Sequence, residues 1–247
     1  MLNYENNIIQ QDRIVCESVF NEFSRLFPGL KLKNYNIHIK LRNCDSPKCC
    51  PKRLNPSFDI DFLIYLNFDE LFWSQIVYQL AHELSHLVMN CYPDEHQFKW
   101  ISECLCGAAS FYLLSLSDII FEQVPTYIPK AKRYLKEMLD EIPTKSKEEL
   151  KTYINENLQD LKEDPCNIID NQTNYRPRND VISKYWYNLL SENVDGWEAI
   201  RHFSNPCVYG SQELYSFFSN WNNICANERQ KQFVNAIRES VELEITA

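Results

Sequence analysis

Between Phe72 and Met89 apolar residues recur at helical spacing, and two histidines four positions apart, His82 and His86, ride on the same run. Trp73, Ile76, Val77, Leu80, Leu84, Leu87 and Val88 form its apolar stripe, while Gln75, Gln79, His82 and His86 fall along a separate polar one. No other stretch constrains the fold as tightly. A helix this apolar has to be covered, yet it must carry two imidazoles one turn apart on one face, where both can hold a single metal ion. Glu83 completes the pattern His-Glu-x-x-His, in which the carboxylate stands beside the metal as a base rather than as a ligand.

The flanking sequence says what this helix packs with. Ser57 to Phe68 alternates and then turns continuously apolar, the pattern of a partly buried strand, and Asp69 after it is a candidate N-cap. A strand is therefore expected to lead straight into the histidine helix. Upstream, residues 8–27 carry helical apolar spacing that stops at Pro28-Gly29. Tyr35, Ile37, Ile39 and Leu41 then alternate with polar residues, so a strand with one buried face is expected and His38 belongs to its solvated side. The segment from Cys44 to Pro51 reads as a loop by its prolines. Its thiols, Cys44, Cys49 and Cys50, lack the second close Cys or His pair of a structural zinc site and are read as unpaired loop cysteines.

After Cys91-Tyr92-Pro93 a second helix is expected from Asp94 or Glu95 to Leu116. It sets Glu103 among apolar residues, where a carboxylate is costly unless paired, hydrogen-bonded or bound to a metal. Gly107, one turn on, leaves room for a backbone or a ligand to come close. Beyond Pro125 the chain is more polar. Helices are expected over 130–142, 146–162, 179–191, 196–203, 212–224 and 227–242, with a loop over 165–177. The fold class is therefore α+β, a small sheet packed on the histidine helix and on a second helix bearing Glu103, followed by a mainly helical C-terminal half.

Composition narrows the function classes. With 45% apolar residues and only four glycines in 247, the chain is globular and helix-rich. A formal charge of −9 argues against nucleic acid as a partner, since phosphate binding depends on clustered Lys and Arg. The longest apolar stretch, Cys104 to Leu116, falls short of the roughly 20 residues of a membrane span, so no membrane partner is expected. The first residues carry no secretory pattern; the ten cysteines are then expected to be reduced and the chain cytoplasmic. Nothing in the sequence indicates an oligomeric state.

His82, Glu83, His86 and Glu103, the last within Trp100-Ile101-Ser102-Glu103-Cys104-Leu105-Cys106-Gly107-Ala108-Ala109, resemble the pattern of the gluzincin metallopeptidases. The resemblance covers about residues 57–116. It implies a zincin-like catalytic domain over 1–125, a helical C-terminal subdomain over 126–247, and a Zn2+ held by His82, His86 and Glu103 with one position open for water. Glu83 would be the general base, and the substrate a peptide or protein. Two features depart from the family pattern: Cys104 and Cys106 flank the third ligand, and the spacer of 17 positions from His86 is short. A metzincin-like ending would need glycine and a third histidine soon after His86; His96 is the nearest histidine and stands as the alternative ligand.

The chemistry also calls for a group to stabilise the oxyanion, for which Tyr112, Tyr175, His202 and Tyr209 are candidates. The strand over 57–68 is either an exposed edge that takes an extended substrate or an internal strand. The competing function is a non-catalytic zinc-binding interaction protein derived from a peptidase fold.

Overall fold

A computed structural model describes residues 1–6, 8–41, 48–51, 62–68, 72–89, 97–163 and 177–241. Its sheet holds β1 (Leu2–Tyr4), β2 (Ile37–Leu41), β3 (Lys48–Pro51) and β4 (Phe62–Leu66) in the order β1-β2-β4-β3. β1 with β2 and β2 with β4 are parallel, in the register Ile37 to Phe62 and Ile39 to Ile64; β3 runs antiparallel to β4. The helices are α1 (Gln10–Leu26), α2 (Trp73–Met89), α3 (Lys99–Ser115), α4 (Ser117–Ile120), α5 (Ile128–Glu141), α6 (Lys147–Glu163), α7 (Pro177–Glu192), α8 (Trp197–Ile200), α9 (Pro206–Tyr209), α10 (Leu214–Ile224) and α11 (Glu228–Val241). The coarse expectation of an α+β chain with a helical second half is met. Among the described residues no helix is long and apolar enough to cross a membrane.

The chain forms two compact units, one of residues 1–87 and 109–141, the other of 88–108 and 142–247. In the first, α1 connects the parallel strands β1 and β2 and buries Val15, Val19 and Phe23. Ile37 and Ile39 of β2 are buried and His38 is half-buried, as the alternation requires. β4 buries Leu63, Ile64 and Leu66, the continuous apolar pattern of a strand covered on both faces.

Polar contacts with four partners hold α2 within this unit. Asp12, buried on α1, accepts a hydrogen bond from Trp73 Nε1 at 2.9 Å. The Ser74 backbone N–H donates to the Tyr127 hydroxyl at 3.2 Å. The Gln79 side-chain amide accepts from the Asn67 N–H at 2.8 Å and donates to the Asn67 carbonyl, which ties the end of β4 to the middle of the helix. Ser110 Oγ, on the C-terminal half of α3, donates to the Tyr78 carbonyl of α2 at 2.8 Å.

In the second unit the N-terminal half of α3 meets α7. Ser183 Oγ donates to the Cys104 carbonyl at 2.9 Å, and Trp100 stacks on Trp186, whose indole N–H reaches Ser240 Oγ at 3.0 Å. Phe203, Phe217, Phe218 and Trp221 form an aromatic cluster, with the Trp221 indole donating to the Ala199 carbonyl at 2.8 Å.

Several expectations change. Lys48–Pro51 is a strand rather than loop, because pairing with β4 supplies main-chain partners that the local proline signal says nothing about. Cys49 and Cys50 thus lie on β3, and Cys44 lies outside the described residues. β4 is internal, which removes it as a substrate-accepting edge; β3 and β1 are the outer strands of the described sheet. The separate polar stripe of α2 is itself covered: Gln79 and His82 are buried, and Gln75 and His86 are half-buried. The helix over 196–203 shortens to a 3-10 turn plus α8, and α9 is an added single turn. Ser57 to Asp61, Asp69, and the start of the second helix at residues 94–96 lie outside the described residues.

Candidate metal centre

α2 delivers the histidine pair. A helix places residues four apart one above the other on a single face. His82 and His86 accordingly approach with their Nε2 atoms 3.2 Å apart, ring centroids 4.9 Å apart and ring planes at 70°. Two imidazole nitrogens bound at 2.0–2.1 Å to one tetrahedral zinc would stand about 3.3 Å apart. The pair is therefore spaced as it would be around a metal, although one ring donating to the other would give the same separation. His82 is 6% exposed and Glu83, the next residue on the helix, 3% exposed. A carboxylate at that depth is held in a setting of low effective dielectric, where its attraction for a nearby cation or proton is strengthened.

α3 carries the remaining acid. Glu103 is buried, 4% exposed, as its apolar surroundings in the sequence require. Cys106 follows three residues later on the same face of the helix and is fully buried, outside any disulfide.

The structure thus brings His82 and His86 together on α2 and buries Glu103 on α3. Cys106 was visible in the sequence only as a thiol near Glu103. The space at Gly107 is taken by Ser183, whose Oγ would stand 2.5 Å from an added Cβ.

The other candidates are scattered. His96 and Tyr175 lie outside the described residues. Tyr112 is buried on α3, and Tyr209 is half-buried at the end of α9. His202 follows α8, where burial and then the neighbouring Arg201 charge hold its imidazole below the usual histidine range. His38, on β2, is lowered by the same kind of partial burial and by Lys40. No family model, curated protein or solved structure matches this chain.

Proposed function

We propose that this chain is a zinc-dependent peptidase, with His82 and His86 as metal ligands, Glu103 as the third and Glu83 as general base. One observation carries the reading: two Nε2 atoms 3.2 Å apart on a helix that also buries Glu83 directly beside them. The catalytic part corresponds to residues 1–125, with the small sheet packed on α2 and α3, and residues 126–247 form a helical subdomain. The outer strand β3 offers main-chain groups that an extended peptide can pair with.

Bound zinc supplies Lewis acidity, polarising the scissile carbonyl and bringing the pKa of the attacking water near 7. The rest falls to the side chains. Glu83 accepts the water's proton as attack begins and returns it to the leaving amine. Its burial keeps that proton from being lost to solvent. The partners of this reading are a peptide or protein substrate, not nucleic acid and not a membrane.

A second reading keeps the metal without the chemistry. Four protein donors fill a tetrahedral metal and leave no position for water, as in a purely structural site. The chain would then be a zinc-binding interaction protein without hydrolytic activity.

Purified protein should carry about one zinc per chain, and His82→Ala should lose it. Glu83→Gln should keep the zinc and lower peptide-library hydrolysis by about 10²- to 10⁴-fold. Equal inactivity of wild type and Glu83→Gln, with zinc bound in both, would remove the catalytic reading and leave the interaction protein.

A further inference from the structure

We infer that Gln79 is a positioning residue for the proposed metal site: its side-chain amide closes the β3–β4 ladder and so sets how α2 presents His82 and His86. This rests on the metal-binding part of the function proposed above and not on its hydrolytic part. The sheet register shows where Gln79 docks. Phe62 donates its N–H to the Asn36 carbonyl, on the β2 side of β4. Main-chain groups alternate sides along a strand, so those of Leu63 and Tyr65 turn toward β3, where these residues pair with Cys50 and Lys48. Asn67, two residues past Tyr65, turns in the same sense, and its N–H and carbonyl are both met by Gln79. One side-chain amide thus supplies the donor and the acceptor that a further β3 residue would supply. Gln79 is 7% exposed, so both halves of its amide need these partners.

The same residue stands on the metal-binding face. Gln79, His82, Glu83 and His86 follow the i, i+3, i+4, i+7 spacing of one helical face. From Gln79 to His82 the helix rises about 4.5 Å, against about 12 to 14 Å from Ser74 and Trp73, whose bonds to Tyr127 and Asp12 hold its first turn. Ser110 also bonds close by, but to the main-chain carbonyl of Tyr78. Gln79 is the anchor carried by the histidine face itself. Turning α2 about its axis would carry both imidazoles with it, and the paired bonds to Asn67 resist that turn at the height of the ligands. All of these residues belong to the first compact unit.

Cobalt(II) tests this in the full chain, because its visible bands report the angles between the ligands around a tetrahedral ion. The metal-free protein is titrated with cobalt chloride. Gln79→Leu should bind cobalt about 10-fold more weakly than wild type and show altered visible bands. Trp73→Phe, which removes the bond to Asp12 at the start of the same helix, should keep the wild-type affinity and bands. Circular dichroism confirms that each variant is folded at the temperature of the titration. Should Gln79→Leu fail to fold, Gln79→Glu serves in its place, since a carboxylate still accepts from the Asn67 N–H but repels the carbonyl. Wild-type affinity and bands in the folded Gln79 variant overturn the inference. An equal loss in Trp73→Phe also overturns it, as it marks a general loosening of α2. Absence of cobalt and zinc binding in wild type overturns it together with the metal reading. The expected pattern in a protein that hydrolyses no peptide leaves Gln79 assigned and removes only the peptidase.

Discussion

Gly107 and Ser183 show how one missing side chain holds a helix in place. A Cβ on residue 107 would meet Ser183 Oγ at 2.5 Å and Ser183 Cβ at 3.0 Å. The serine cannot yield without giving up its bond to the Cys104 carbonyl. Gly107→Ala should therefore cost about 1–3 kcal/mol in urea unfolding despite the better helix propensity of alanine. Adding Ser183→Ala should recover part of the loss, a non-additivity of the kind two touching residues produce. The sequence marked Gly107 as a place of close approach and Glu103 as a buried acid, because each is out of character with its helix. It gave no sign of Asp12 receiving the Trp73 indole, a pairing across 61 positions that follows no local period.

At the scale of elements, legibility followed periodicity. α1, α2, α3, α5, α6, α7, α10 and α11 all fall where apolar spacing announced them, since a helix of three or more turns repeats its signal several times. β1 and β3, of three and four residues, are too short to repeat anything, and what makes them strands is pairing with distant partners. The burial of α2's polar stripe was equally hidden, because amphipathic spacing reports which residues differ and not whether both faces are covered. Gln79 is where this matters. Its side chain satisfies both main-chain groups of Asn67 at the end of β4. Gln79→Leu should remove both bonds and cost about 1–3 kcal/mol in thermal unfolding. With the anchor one turn from His82 gone, zinc affinity should also fall, by roughly 10-fold, as for loss of a group that orients metal ligands. Unchanged zinc affinity in a destabilised variant would show that β4 does not help to aim the histidines.

For the whole molecule, alkaline pH is the sharper test of stability. Burial, with a smaller contribution from Tyr127, pushes the Tyr134 phenol from 10.0 up to about 12, and burial pushes the Cys225 thiol from 9.0 up to about 11. Both groups are held protonated in the folded chain. Their contribution is complete below the unfolded values and is lost as pH rises through the folded ones, so stability should fall between about pH 9 and 12. The formal charge of −9, growing more negative over that range, adds self-repulsion in the same direction. Melting temperatures of wild type and Tyr134→Phe should agree near pH 8 and separate above pH 10, with the variant the more stable; curves that stay parallel would show that Tyr134 does not govern this limb. Composition foretold a globular helical chain but not its interleaving, for the first unit is made of residues 1–87 and 109–141 with part of the second in between. That order has a consequence during synthesis. When Leu87 leaves the ribosome the histidine helix has emerged but its unit is unfinished, and the 54 residues to Glu141 take a further 3 to 10 s or so at roughly 5–20 residues per second. For those seconds an apolar helix of the nascent chain waits for its cover, which makes it a natural point of engagement for a chaperone.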